Sequence, residues 1–282
     1  MRDLRIALVA CRCPAGQLET NRERVVHWTR RAAASGAHIV CFPELNISGY
    51  SLSPHPESAQ PLDGETARAL QGLADERRIV VLAGLLERGR HGALYAAHLA
   101  AVPGGPLRVY RKLHIAPPER DLLTPGNDIP VFRTPRVTFG IQLCYDAHFP
   151  ELATRMALAG AELLFFPHAS PRGTPPRKLA SWLRHLRARA WDNGLFVAAV
   201  NQVGDNGEGL NFPGVAVVIG PDGEIVCQRR QDSEGMLLAD LKAADLRKVR
   251  LHPMRFFLPH RRADLFGPPA SAVRPGTERE PT

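Results

Sequence analysis

Cysteine is scarce in this 282-residue chain, and its count of five is odd. A disulfide framework is therefore not implied, and a reducing, cytoplasmic compartment is the expectation. Long apolar runs are missing. Stretches such as Ile79–Leu86 fall far short of the roughly 20 residues that span a bilayer. The N-terminus enters a strand-like run at once, without a separate apolar segment and cleavage site, so a secretory signal is not expected. Acidic residues are outnumbered, 28 against 36 Lys and Arg, which leaves a net charge of +8. Nucleic-acid binding is one reading of that excess, and an arginine-rich surface is the other. The densest basic stretch, Arg172 to Arg189, offers Trp182 as its only aromatic. Trp182 falls on an apolar helix face rather than on a base-stacking platform, so no nucleic-acid partner is expected.

What is present is a globular composition, 44% hydrophobic and 23% charged, which excludes a disordered or fibrous chain. A chain this long can bury roughly 75% of its unfolded surface without a disulfide or metal staple. Its pattern repeats a strand–helix–strand unit. Leu4–Ala10 reads as a buried strand, Asn21 to Ala34 as a helix stopped by Ser35-Gly36, and His38–Phe42 as the next strand, closed by Pro43. Glu65–Arg77 reads as a helix and Ile79–Leu86 as a strand. Leu94–Val102 and Leu107–Lys112 flank Pro103-Gly104-Gly105-Pro106 as a hairpin. The second half repeats the theme: strand Val137–Leu143, helix Pro150–Ala159, strand Leu163–Phe166, helix Arg177–Trp191 and strand Phe196–Val200. Val215–Ile219 and Glu224–Cys227 then form a hairpin around Pro221-Asp222-Gly223. Units of this kind interrupted by hairpins point to a layered α/β sandwich with helices outside. From Pro259 the chain turns rich in Pro, Arg and polar residues. We expect one domain over residues 1–266 and a tail over 267–282 that is disordered or wraps a partner subunit.

Three reactive side chains stand at strand ends, where sites gather in layered α/β folds. Glu44 follows His38–Phe42, Lys112 ends Leu107–Arg111, and Cys144 follows Val137–Leu143. A nucleophile needs a base beside it, and its anionic intermediate needs a cation or N–H partner. Glu, Lys and Cys can supply those roles. Each can equally be a core thiol, a cap or a solvated charge, because proximity is not visible in a sequence.

The motifs that carry these residues resemble those of the nitrilase superfamily of carbon–nitrogen hydrolases, from about Arg5 to Phe266. They are Phe42-Pro43-Glu44-Leu45 with Gly49-Tyr50, Tyr110-Arg111-Lys112-Leu113-His114, and Cys144-Tyr145-Asp146 with Phe149-Pro150-Glu151-Leu152. Arg187-Ala188-Arg189-Ala190 with Asn193, and Pro221-Asp222-Gly223-Glu224, are secondary matches. The resemblance implies a four-layer α-β-β-α sandwich, a homodimer or higher homo-oligomer, and no metal or other cofactor. It implies Cys144 as nucleophile, Glu44 as general base, Lys112 as stabiliser of the tetrahedral intermediate and Glu119 as a second acid, with Tyr50 in the substrate-binding set. The Tyr145 N–H would complete the oxyanion hole. A cationic Lys112 is expected to favour the thiolate.

The chain also departs from the family pattern. Tyr95 is followed by Ala96 where many members carry Asn, and His148 stands where Arg often precedes Phe-Pro-Glu. His148 is a substrate contact or a structural residue. His168 and Arg172, after the strand Leu163–Phe166, are expected in the pocket wall, with a satisfied loop histidine and a surface charge as the alternatives. Cys11-Arg12-Cys13 resembles half of a metal site but lacks a second pair, so buried core is the better reading. Gly204 to Gly209 reads as a mobile loop near the site mouth. The expected activity is hydrolysis of an amide or N-carbamoyl group of a small molecule. A true nitrilase and a non-catalytic binding member are the alternatives; Tyr145-Asp146 stands where nitrilases commonly show Trp-Glu.

Overall fold

The computed structural model describes residues 1–53 and 55–266, so the expected 267–282 tail lies outside the described residues. The strands are β1 Leu4–Ala10, β2 Ile39–Cys41, β3 Val80–Arg88, β4 Leu94–Ala101, β5 Arg108–Arg111, β6 Phe132–Arg133, β7 Thr138–Ile141, β8 Leu163–His168, β9 Phe196–Asn201, β10 Gly204–Asp205, β11 Asn211–Phe212, β12 Val215–Ile219, β13 Ile225–Arg230 and β14 Gly235–Leu241. The helices are α1 Leu18–Ala34, α2 Glu65–Arg77, α3 Pro150–Leu158, α4 Pro175–Asn193, α5 Ala243–Arg250 and α6 Ala263–Phe266. One six-stranded sheet runs β14-β1-β2-β3-β4-β5 and the other β13-β12-β9-β8-β7-β6. Each has a parallel centre, β1-β2-β3 and β7-β8-β9, whose crossovers are helices, and antiparallel flanks.

The layering follows from the strand sequences. In β1, Leu4, Ile6 and Leu8 belong to the core that includes the second sheet, while Ala7 and Val9 lie under α1 and α2. Both faces are covered, which is why Leu4–Ala10 reads as a continuous apolar run rather than an alternating one. α3 and α4 cover the second sheet, completing the expected α-β-β-α sandwich. Trp182 is buried on the apolar face of α4.

The expected helix Glu65–Arg77 is found with those bounds, and the others shift by a few residues at their ends. α4 starts at Pro175 because proline is compatible with the first helical turn. β14 and α5 carry no clear alternation or cap in sequence and were not anticipated. β14 nonetheless closes the edge of β1, with Leu4 opposite Leu241. The Gly204–Gly209 stretch belongs to a small β10–β11 ribbon. Its Asn206 side chain donates to the Tyr50 carbonyl at 2.9 Å and accepts from two N–H groups of its own turn. Cys11 and Cys13 are buried side by side, their sulfurs 3.8 Å apart, as expected of core.

Candidate active site

The C-terminal ends of β2, β5, β7 and β8 deliver Glu44, Lys112, Cys144 and Ala169 to one place. Glu44 sits in a sharp bend in which Leu45 takes a left-handed φ of 52°. The bend lies directly on β3: a Cβ at Gly84 would come within 2.5 Å of the Leu45 nitrogen. Only glycine permits that approach. Asn46 Oδ1 accepts the Gly84 N–H at 2.7 Å and fixes the bend. Lys112 lies one residue past β5 but keeps the ladder, its N–H donating to Ala96 at 2.9 Å.

Lys112 is wholly buried, and its ammonium donates to Glu44 Oε1 at 2.8 Å and to Glu119 Oε2 at 2.8 Å. The other oxygens are also held. Glu44 Oε2 accepts the Ala169 N–H at 3.0 Å, and Glu119 Oε1 accepts the Tyr50 hydroxyl at 2.9 Å. Two buried carboxylates thus share one ammonium. Burial, followed by the repulsion of Glu119, pushes Glu44 up to about 7 against the pull of Lys112. Burial alone would lower the lysine, but the surrounding acids outweigh it and hold Lys112 protonated, above its ordinary value.

Cys144 begins a 3-10 turn, Cys144–His148, with a left-handed φ of 41°. For a non-glycine residue that conformation costs on the order of 1–3 kcal/mol and recurs at functional sites. Burial and then Glu44 push the thiol up, and Lys112 only partly offsets them. The expected thiolate is therefore corrected. Burial and the two carboxyl groups favour the protonated thiol and outweigh the pull of one ammonium. The carboxyl of Glu44, pushed up to about 7, is the charged group that acts most strongly on that thiol. The Tyr145 N–H belongs to the first turn of the 3-10 segment, where N–H groups have no partner within the helix.

Asp146 belongs to the Cys144-Tyr145-Asp146 motif, but the sequence assigns it no place in the site. It is fully buried and ties the cysteine turn to the lysine strand. Its carboxylate accepts the Tyr110 hydroxyl at 2.7 Å, the Leu143 N–H at 2.9 Å, and the His114 N–H and ring nitrogen at 2.9 and 2.8 Å. Tyr110 and His114 flank Lys112 at alternate positions. The pattern Tyr-x-Lys-x-His beside Cys-x-Asp was the available signal. His114 also stacks on Phe149 at 3.7 Å. From α4, Arg189 donates to the Ala147 carbonyl at 3.1 Å, and Gln202 donates to the Glu44 carbonyl at 2.8 Å.

The expected substrate-binding residues are less uniformly placed. Tyr50 is in the cluster, as the partner of Glu119. Tyr145 is half-buried, packed edge-on against Phe149. His148 is exposed at the end of the turn, its ring 4.7 Å from that of His185. His168 is buried and stacked on Trp182 at 4.0 Å, and neither ring nitrogen has a partner among the described residues. Burial holds it neutral, well below the usual histidine value. Arg172 is exposed in a left-handed turn, its N–H bonded to Asn211 at 3.0 Å. Among the described residues no group of His, Cys, Asp and Glu is arranged to hold a metal ion, and no helix is long and apolar enough to cross a membrane.

The acid–base cluster carries a pH prediction. If Glu44 must be ionised to act, kcat/KM rises with pH through about 7, the value to which burial lifts it. Glu119 raises that value, so Glu119→Gln is expected to move the acid limb to lower pH. The limb belongs to the coupled cluster rather than to one residue. Rate profiles of the two proteins from pH 5 to 9 check this, and a limb that stays put or moves upward would contradict it.

Comparison with known proteins places this geometry. The Carbon-nitrogen hydrolase family matches residues 5–251. The omega-amidase NIT2 of Xenopus tropicalis is 32% identical over 240 residues, 82% of this chain and 86% of its own. Among solved structures, a CN-hydrolase superfamily protein of Xanthomonas campestris with an arsenic adduct in its active site superposes with a TM-score of 0.83. It is 26% identical and matches over 93% of this chain and 98% of its own. An amidase variant from Nesterenkonia, carrying the acetamide moiety of fluoroacetamide covalently at its active-site cysteine, gives a TM-score of 0.78. Its identity is 28%, over 93% of this chain and 95% of its own. With three motifs, a buried Glu–Lys–Glu cluster and a strained cysteine turn on this sandwich, the chain belongs to the carbon–nitrogen hydrolase family.

Proposed function

We propose that the protein is a cysteine amidohydrolase that cleaves a carbon–nitrogen bond other than a peptide bond, in a small molecule bearing an amide or N-carbamoyl group. The observation that carries this reading is the Lys112 ammonium between two carboxylates at 2.8 Å, beside a cysteine held at φ 41°. Glu44 takes the Cys144 proton as sulfur attacks the carbonyl carbon. The oxyanion is stabilised by the Lys112 ammonium and the Tyr145 N–H. Glu44 returns the proton to nitrogen, the C–N bond breaks, and ammonia or an amine leaves a thioester. Glu44 then deprotonates water, which attacks the thioester. The acid leaves as the proton returns to sulfur. Every proton is accounted for by Glu44, Cys144, substrate and water, so the cycle needs no metal or cofactor. Glu119 positions Lys112, and the amidase names of the relatives support an amide over a nitrile.

The test is kcat/KM for matched amide, carbamoyl and nitrile forms of several small side chains, read as ammonia release. The amide or carbamoyl form is expected to be faster, since its tetrahedral oxyanion is what an ammonium and an N–H stabilise. A nitrile gives a thioimidate whose nitrogen must instead be protonated. A tenfold preference for the nitrile, ~1.4 kcal/mol in barrier, would overturn the reading.

The same reading makes the protein cytoplasmic and a homodimer or larger. Exposed apolar side chains are frequent in the last stretch of the described residues, at Leu251, Met254, Phe257, Leu265 and Phe266, and the Phe257 ring lies 6.2 Å from that of exposed Trp191. Such exposure favours burial against a second copy. Sedimentation velocity is expected to show a dimer or larger species, and a monomer at micromolar concentration would contradict it.

A further inference from the structure

The glycine-rich ribbon β10–β11 contributes none of the reacting groups, yet it is tied to them through Tyr50. Asn206 is buried at its turn and joins the ribbon to two other segments. Its carbonyl accepts the Ala15 N–H at 2.9 Å, its own N–H donates to the Leu210 carbonyl at 3.0 Å, and its side chain donates to the Tyr50 carbonyl at 2.9 Å. Phe212 of the same ribbon packs edge-on against the Tyr50 ring, the centroids 6.1 Å apart. The chain before Tyr50 is held from the other side. Gly49 has a φ of 75°, and a Cβ there would come within 2.5 Å of the Ala15 Cα, so no larger residue fits. Gly16 donates its N–H to the Ser48 carbonyl at 2.9 Å. Tyr50 is thus clamped between the ribbon and the Ala15-Gly16 turn.

What this clamped residue presents to the site is one hydroxyl. It donates to Glu119 Oε1 at 2.9 Å, and among the described residues it is the one donor to that oxygen. The opposite oxygen, Oε2, accepts the Lys112 ammonium at 2.8 Å and the Ala116 N–H at 3.3 Å. The last side-chain torsion of a glutamate is broad, so a carboxylate held on one side alone can swing. A donor on each oxygen stops that motion. The charged groups that act on the Tyr50 phenol are Glu119, Glu44 and Lys112. Burial, then the negative charge of Glu119 and of Glu44, pushes the phenol up, so it remains a donor.

We propose that Tyr50 is a positioning residue rather than a direct contact of the substrate: its hydroxyl, set by Asn206 and Phe212, fixes Glu119 so that the second carboxylate oxygen stays on Lys112. The inference rests on the amidohydrolase reading above, in which the Lys112 ammonium must meet the oxyanion.

The test is Tyr50→Phe, which deletes one oxygen and leaves the ring against Phe212. On the alkaline plateau its kcat is expected to fall on the order of tenfold, the scale of one hydrogen bond to a charged group, with KM nearly unchanged for every amide tried. A hydrogen bond donated to a carboxylate favours its charged form, so without it the cluster binds a proton more readily. The acid limb of kcat/KM should therefore move upward by about one pH unit, opposite to the shift expected of Glu119→Gln. For the same reason the loss of Tm in Tyr50→Phe should be larger at pH 8, where the cluster is ionised, than at pH 5. A limb that stays in place with a Tm loss independent of pH reduces Tyr50 to packing. A rise in KM confined to some amides, with kcat kept, makes it a substrate contact. Either result overturns the proposal. Wild-type protein that hydrolyses no amide would instead overturn the amidohydrolase reading, and the Tm comparison would still decide Tyr50.

Discussion

Cys144→Ala is expected to lose on the order of 10⁴–10⁶-fold in kcat, the scale seen when the nucleophile of a covalent mechanism is removed. Among the described residues the other cysteines are poorly placed to form the acyl intermediate, and Cys11 is buried against Cys13. Cys13 and Cys41 are buried with thiols pushed up by burial, and Cys227 lies on β13, in the outermost strand of its sheet. The fold should survive, since alanine deletes one sulfur from a half-buried site. The backbone at φ 41° adds a second readout. Glycine adopts that conformation without strain, so Cys144→Gly should be as inactive as Cys144→Ala yet more stable by about 1 kcal/mol. Ammonia release and thermal unfolding measure the two effects. An alanine variant that keeps about a tenth of the rate, a barrier change of only ~1.4 kcal/mol, would remove Cys144 from the mechanism.

Lys112→Ala is expected to damage both rate and stability. In the rate, loss of an oxyanion donor costs on the order of 10²-fold or more. In stability, Glu44 and Glu119 would be left facing each other without the cation that now lies 2.8 Å from each. Removing one partner of a buried ion pair costs about 3–5 kcal/mol. Some of that cost is relieved when a carboxylate takes up a proton, so the loss in Tm should be smaller at pH 5 than at pH 8. Lys112→Arg should restore charge but not rate, since a broad planar fork cannot occupy the place of a compact ammonium. Rates near normal in Lys112→Ala, or a Tm loss independent of pH, would contradict this account.

Much of the architecture was legible because it is a pattern of burial. β1 is covered on both faces and reads as an unbroken apolar run, and α2 is found over Glu65–Arg77, the residues that read as a helix. β14 escaped because its half-buried alternation is irregular, and its place is set by pairing with β1 across almost the whole chain. Glu44, Lys112 and Cys144 were identified by motif and position at strand ends. Nothing in their sequence spacing says that Glu44 and Lys112, 68 residues apart, meet at 2.8 Å.

The electrostatics belonged to the tertiary structure alone. One lysine motif suggests a thiolate, but the protonation of Cys144 depends on how many carboxylates share that lysine and how little water reaches them. Asp146 is an ordinary residue of its motif until folding sets it between Tyr110, His114 and Leu143, and Tyr50, expected at the substrate, is set against Glu119. A sequence records which side chains are buried through periodicity, because burial acts on each residue separately. Charge balance in a dehydrated site depends on distances between groups brought together from several strands, and those distances exist only once the two sheets are packed.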